Sequence, residues 1–382
     1  MRWLRCGLLI SLASLLLPAA GNPAASKYLV YIGTYTGPDS KGIYVYRFDT
    51  ATGKVDSLGL AGEMIRPSFL ALHPNQRFLY AVSELGNDGR VNGSITAFAI
   101  DRKSGVLTPL NTVSSGGGGS CHLVVDRTGR SLVVADYGSG RVASLQVNPD
   151  GRLSGPVSVM QHSGSSVDPK RQTGPHAHAV VLSPDNRFVL VPDLGLDQIR
   201  IYRLDPATAT LTPADPPFVA AKAGSGPRHL VFSPDGRFAY SLHEMGSLVT
   251  VWAYTAVSGH LAEVQTISTL PADFHGENAS AEIAVDAKGR FLYASNRGHD
   301  SITVFAIDPG DGRLKVVEHD PTGGRTPRNF AIDPTGRYLF AANQNTNNIV
   351  VFAVDPQSGH LTPTGQALDV HSPVCVQFVP AE

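Results

Sequence analysis

Cysteine is scarce in this chain. The 382 residues contain three, at positions 6, 121 and 375. No two of them stand as a Cys-x-x-Cys pair, which excludes a disulfide-dense scaffold and the usual cysteine zinc sites. Charge is also sparse: Asp, Glu, Lys and Arg make up 16% of the residues, and the formal net charge is −1. With no basic excess and no interleaving of aromatic and basic residues, nothing draws the chain to nucleic acid or to an anionic membrane. There is no Gly-x-Ser-x-Gly elbow to expose a serine nucleophile; Ser139, set in Tyr-Gly-Ser-Gly, reads as part of a tight turn. No calcium-loop pattern occurs. The apolar stretch from Leu8 to Leu17 is too short to cross a bilayer. It follows Arg2 and Arg5 and precedes the small residues Ala19-Ala20-Gly21 and Ala24-Ala25-Ser26. That pattern marks residues 1–26 as a secretory signal peptide and implies export to a periplasm or the cell exterior.

What the chain has in abundance is repetition. Arg228 to Glu244 reads as a β-hairpin: alternating apolar residues run to Ser233, Pro234-Asp235-Gly236 turns the chain, and Phe238 to Leu242 is apolar again. The pattern recurs from Ser68, Cys121, His178, Ala281 and Arg328, with turn arginines at Arg77, Arg130, Arg187, Arg237, Arg290 and Arg337. A second motif follows the hairpins, as from Ile302 and Ile349, and supplies a third strand, a turn and the start of a fourth. Four short strands at a period of about 50 residues predict an all-β seven-bladed β-propeller of four-stranded antiparallel blades. Six repeats are complete and the seventh is split. Cys375 to Pro380 matches a first strand, Tyr28 to Thr34 a second and Gly42 to Asp49 a third. The C-terminal strand therefore joins the N-terminal blade and leaves no open seam. Residues 27–382 are expected to form one domain, and a monomer, because propeller edges are short and ring closure is internal. Cys121 and Cys375 fall in blades that are not neighbours, so two buried thiols are expected.

Three interblade connections have unusual composition: 114–120 with four glycines, the polar loop 163–174, and 271–280. Each enters a blade's inner strand on the face where the second strand leaves, so function is sought there. Counting outward from the turns places Arg228 opposite Glu244 and Glu282 opposite Asn296, with Arg297 one step further out. It places Arg328 opposite Gln344, and Ala179 opposite Asp193 beside His178. The candidate set at this mouth is His176, His178, Asp193, Arg228, His229, Glu244, Glu282, Arg297, His299 and Arg328. Arginines suit an anionic substrate or a developing oxyanion, and a carboxylate or imidazole activates water. That combination fits opening or closure of a lactone without a covalent enzyme intermediate. Bland readings exist for several members. The turn arginines on the opposite face are structural, and Arg228 with Glu244 could be a hairpin salt bridge. His176 and His178 alternate, so one of them faces the channel. His299 is expected at the surface. A metal held by His176, His178, Asp193 and Glu244 is opposed by the neighbouring Arg228.

At these residues the chain resembles the lactonase family of seven-bladed propellers, which includes propeller-type bacterial 6-phosphogluconolactonase and fungal carboxy-muconate lactonizing enzyme. The matching stretches are Ile-Gly-Thr-Tyr-Thr from Ile32, Asp-Tyr-Gly-Ser-Gly from Asp136, Gly-Pro-His-Ala-His from Gly174, and Gly-Pro-Arg-His-Leu from Gly226. To these add Ala-Glu-Ile from Ala281, Asn-Arg-Gly-His from Asn296 and Thr-Pro-Arg-Asn-Phe from Thr326. The resemblance runs from Lys27 to the C-terminus. It implies catalysis by a His (His176 or His178), Arg228, Glu244 and a second arginine, Arg297 in preference to Arg328. Asp193, His229, Glu282, Asn296 and Arg328 remain as substrate-binding candidates, and no metal or organic cofactor is implied. The expectation is a lactone hydrolase of the 6-phosphogluconolactonase kind, acting on a small anionic lactone. A muconate-type cycloisomerase and a non-enzymatic scaffold at the cell surface are the alternatives. The export signal is a departure, because a phosphorylated sugar lactone is a cytosolic metabolite; it points to another sugar-acid lactone.

Overall fold

The computed structural model describes residues 26–382, so the expected signal peptide lies, but for its last residue, outside the described residues. The chain forms seven four-stranded antiparallel sheets. Blade 1 takes its inner strand from the C-terminus: Pro373–Pro380 pairs with Lys27–Thr34, followed outward by Gly42–Asp49 and Val55–Glu63. Blades 2 to 7 follow in chain order, with inner strands Leu70–Leu72, Ser120–Val125, Val181–Leu182, Pro227–Phe232, Ala279–Val285 and Pro327–Ile332. Among the described residues no helix is long and apolar enough to cross a membrane.

The alternation of apolar residues explains the stack. Successive side chains on a strand point to opposite faces, and in a propeller both faces of a blade's inner strands meet a neighbour. The strands Phe78–Ser83, Phe188–Asp193 and Phe238–His243 are accordingly buried throughout. The seam between blades 7 and 1 is sealed in the same way. Phe340 packs edge-on against Phe48 at 5.1 Å and against Phe378 at 5.2 Å, joined by Val376 and Tyr28. Each such buried side chain contributes about 1.5–3 kcal/mol relative to exposure.

The repeat motif also carries the stitches between blades. In the turns the arginine reaches a carbonyl of the following blade: Arg187 to Ala256 at 2.7 Å, Arg237 to Pro309 at 2.6 Å, and Arg290 and Arg337 likewise to Pro356 and Thr50. Second-strand tyrosines do the same from inside. The hydroxyls of Tyr31, Tyr80, Tyr240 and Tyr293 donate to the carbonyls of Gly105, Gly151, Gly312 and Gly359. These glycines hold φ between +75° and +86°, where a side chain would be strained. Cys121 and Cys375 are buried free thiols, as the blade assignment implied.

One feature of the inner strands departs from the expected register. Near the channel mouth the hairpin ladder slips in blades 1 and 3 to 7. Pro227 faces His243 while His229 faces Leu242, so Arg228 is an extra, unpaired residue. The same bulge isolates Cys121 and Arg328, and a wider one isolates Ala281 and Glu282. In blade 4, Ala177 rather than Ala179 faces Asp193, and Val181 faces Leu190, leaving His178 in the slipped segment. Counting from the turn glycine misplaced the cross-strand partners by one step along the regular ladder and by a second at the bulge: Ser280 faces Asn296, and Pro327 faces Asn343. A bulge turns a side chain away from the sheet and toward a site, which is what happens here in blade after blade.

Candidate active site

In most blades two consecutive positions at the end of the second strand have opposite fates. The first is buried between blades and ties the loops together. Asp193 is fully buried: one oxygen accepts from the backbone of His176, Gly195 and Leu196, and the other lies 2.6 Å from His162 Nδ1. Asn296 is also fully buried; its Oδ1 takes the hydroxyls of Thr269 and Ser280, and its Nδ2 donates to the Thr269 carbonyl. Both were candidates for binding substrate, and the structure places both outside the channel. The reason is the direction of a second strand's side chains: they point to the two neighbouring blades, and only the inner strands and the residues past the second strands reach the axis. In five of the seven blades the residue after the buried one turns into the channel: Tyr35, Glu84, Tyr137, Glu244 and Arg297, the last still within its strand. These residues, with Arg66, Asn87, Cys121, Arg171, His178 and Arg328, line a pocket of about 330 Å³ at one mouth of the channel.

Glu244 is the hub of one wall. It accepts from Arg228 Nε at 3.0 Å, from an Arg297 Nη at 2.8 Å and from an Arg171 Nη at 2.8 Å, and His178 Nε2 lies 3.9 Å away. Burial opposes its charge, but Arg297, Arg228 and Arg171 together outweigh it and hold the carboxyl well below the usual range. Glu244 is thus a fixed anion and a poor base. Arg228 is almost wholly buried. Besides Glu244 it donates to the Ala281 carbonyl and, at 3.1 Å, to His229 Nε2. Burial, with Arg297 and Arg328 nearby, pulls its pKa down to about 10. Arg297 also donates to the carbonyls of Ala279 and Ser280, so its fork is held on three sides.

The channel continues beneath this wall as a polar chain. His229 Nε2 accepts from Arg228, so Nδ1 carries the proton and meets Glu282 Oε1 at 2.8 Å. Glu282 accepts in turn from the Asn329 amide, whose oxygen takes the Val376 backbone N–H at 2.9 Å. Glu282 stays ionised against burial because His229 and Arg228 face it. His229 and Glu282 therefore sit below the pocket and brace Arg228 from underneath.

The two alternating histidines separate cleanly. His176 stacks on Tyr137 at 4.4 Å, and its Nδ1 lies 2.9 Å from the Tyr137 carbonyl. His178 faces the pocket, and its Nδ1 has no hydrogen-bond partner among the described residues. Burial, with Arg228 and His229 beside it, pushes the His178 pKa well below its ordinary value, so the imidazole is neutral. His299 is partly buried against Phe274 at 4.8 Å and does not line the pocket.

Sequence reasoning missed several wall residues. Glu84 occupies in blade 2 the position Glu244 holds in blade 5, so the repeat alignment carried the signal. Its carboxylate accepts from Tyr35 Oη at 2.9 Å and Asn87 Nδ2 at 3.2 Å. Arg171 lies in the polar loop 163–174, where no periodicity marks one residue over another. Among the described residues no three His, Cys, Asp or Glu side chains converge as metal ligands. A groove on the opposite face, about 180 Å³, lies among turn residues; one of its charges, Arg237, is paired with Asp235 at 2.6 Å.

The family model "Lactonase, 7-bladed beta-propeller" matches residues 29–378. The 6-phosphogluconolactonase of Bacillus subtilis is 36% identical over 354 residues, spanning 93% of this chain and 99% of that protein. The 6-phosphogluconolactonase of Formosa agariphila is 34% identical over 310 residues, 79% of this chain and 85% of that protein. Among solved structures, the periplasmic gluconolactonase of Pseudomonas aeruginosa superposes with a TM-score of 0.88 at 41% identity, covering 94% of this chain and all of that one. The chain belongs to the lactonase family of seven-bladed β-propellers.

Proposed function

We propose that residues 27–382 form an exported, monomeric lactone hydrolase acting on a sugar-acid lactone. The observation that carries this reading is the convergence of Arg228, Arg297 and Arg171 on Glu244 beside the neutral, unpartnered imidazole of His178. Names borne by relatives support it: 6-phosphogluconolactonase in Bacillus subtilis and periplasmic gluconolactonase in Pseudomonas aeruginosa. The latter, with the N-terminal segment 1–26, favours a periplasmic site of action.

In this mechanism the lactone carbonyl oxygen points at Arg228 and Arg297, whose positive charge stabilises the oxyanion of the tetrahedral intermediate. His178 takes a proton from the attacking water as its oxygen bonds to the carbonyl carbon. Collapse of the intermediate breaks the ring C–O bond, and the departing ring oxygen takes the proton from His178. The product is a hydroxy acid. Glu244 lies close enough to favour the transient imidazolium, and it holds the two arginines in place.

The base assignment has a pH consequence. An ordinary histidine, with a pKa of about 6.5, would lose its base function below that value. His178 is held lower, so the acid limb of kcat/KM is expected well below pH 6.5. In a His178→Gln variant activity is expected to fall and this limb to disappear. A wild-type limb at 6.5 or above, or an unchanged limb in the variant, would remove His178 from the role.

A further inference from the structure

The wall across the channel from Glu244 has a different character. The seven blades form a ring, so blade 1 stands opposite blades 4 and 5, which supply His178, Arg228 and Glu244. On the blade 1 side the guanidinium of Arg66 lies over the Tyr35 ring at 4.5 Å, and that of Arg328 lies over the same ring at 5.3 Å. Tyr35 is fixed by its hydroxyl on Glu84, and burial keeps it protonated, with a pKa pushed up to about 12. Arg66 uses only Nε, on the Glu84 carbonyl at 3.0 Å. The guanidinium of Arg328 has no hydrogen bond or ion pair among the described residues, although it lines both the pocket and the cavity beneath it. Glu84, the nearby carboxylate, spends its oxygens on neutral donors.

The charge balance points the same way. The pocket and its floor hold five arginines (66, 171, 228, 297, 328) against three glutamates (84, 244, 282), an excess of two positive charges in a chain of net charge −1. Three of those arginines are satisfied by Glu244. Arg66 and Arg328 are the two whose guanidinium no carboxylate contacts among the described residues. Glu84 and Glu244 favour the charge of Arg328 without touching its guanidinium, and Arg66 is partly exposed, so both forks keep N–H groups free for a ligand anion.

Resting on the lactonase reading, we propose that Arg66 and Arg328, set on the Tyr35 ring, form a subsite for a second anionic group of the substrate. That group is a phosphate or carboxylate at the end of the molecule remote from the lactone carbonyl. A substrate spanning the pocket then places its reacting ester at Arg228 and Arg297 and its tail at Arg66 and Arg328. Planar guanidinium forks suit either oxyanion.

The test compares Arg328→Gln and Arg66→Gln with the wild type on three lactones: 6-phosphogluconolactone, a glucarolactone with a free carboxylate, and neutral gluconolactone. Arg66 is partly exposed, which makes its variant the safer one for folding. On the anionic lactones each variant is expected to lose about 30- to 100-fold in kcat/KM, mostly through KM, the scale of losing one charged hydrogen-bonding partner. Neutral gluconolactone should change less than about threefold, the scale of having no partner to lose. Whichever anionic lactone loses more identifies the tail. Equal losses on all three, or losses carried in kcat, would overturn the proposal. A readout independent of activity is calorimetric binding of 6-phosphogluconate, which has no ester to open. Weaker binding in both variants supports the subsite even if the wild type opens no lactone. Binding that ignores both substitutions, or no binding to the wild type, contradicts it.

Discussion

Glu244→Gln is expected to cost about 1,000-fold in kcat/KM, the upper range for removing one oxyanion-stabilising group, because it releases both arginines aimed at the carbonyl oxygen. The same change should destabilise the fold by about 3–5 kcal/mol, the usual consequence of removing one partner from a buried ion pair. Gln keeps the shape of Glu244 but leaves Arg228, Arg297 and Arg171 facing one another without an anion. Urea unfolding as a function of pH distinguishes charge from shape. The Glu244 pKa is depressed below its ordinary 4.5. Its contribution to stability is therefore complete above that value and is lost as pH falls through the depressed one. The gap between wild type and variant should be constant from pH 7 to pH 5 and close only in stronger acid. A gap that closed near neutrality would mean that Glu244 is not the clamped anion described here.

Arg228→Lys is the second large effect. Arg228 serves the Glu244 carboxylate, the Ala281 carbonyl and His229 Nε2 at once, and a single ammonium cannot span all three. The expected loss in kcat is about 100- to 1,000-fold, as for an oxyanion donor. The variant should also acquire a pH dependence that the wild type lacks. Burial and the flanking Arg297 and Arg328 bring even the arginine down to about 10. A lysine starts from about 10.4, lower than arginine, and the same surroundings push it towards neutrality. Residual activity should therefore rise as pH is lowered and the lysine gains its proton, until His178 titrates. Activity of the lysine variant that stayed flat from pH 9 to pH 6 would argue that the charge at 228 does not act in the rate-limiting step.

The ring was legible because its signals are periodic and redundant. Each hairpin repeats the same apolar alternation around the same turn, and Cys375 to Pro380 reads as the missing inner strand of the N-terminal blade, as the pairing of Tyr31 with Gln377 shows. The mouth was legible only in part. His178, Arg228, Glu244, Arg297 and Arg328 stand out in the sequence as charged or polar residues where a strand should be apolar, and all five line the pocket or its floor. Asp193 and Asn296 stand out for the same reason yet serve the loops between blades. Alternation tells which neighbouring blade a second-strand side chain meets, not whether it reaches the axis, and no residue type announces the inner-strand bulges that aim Arg228 and Arg328. Arg66 and Arg171 lie in segments without period, where only three-dimensional proximity reveals a wall. Glu84 is a different omission, since it holds the same place as Glu244 in its own repeat and could have been found by aligning blade 2 with blade 5.

The most direct test of a lactonase built on Arg228, Glu244 and Arg297 is acid release by residues 27–382 from 6-phosphogluconolactone, gluconolactone and a muconolactone, with and without chelator. The expected result is opening of at least one sugar-acid lactone far above its spontaneous rate, unchanged by chelator and lowered about 1,000-fold in Glu244→Gln. Background rates on every lactone, or full activity in a folded Glu244→Gln protein, would contradict the account.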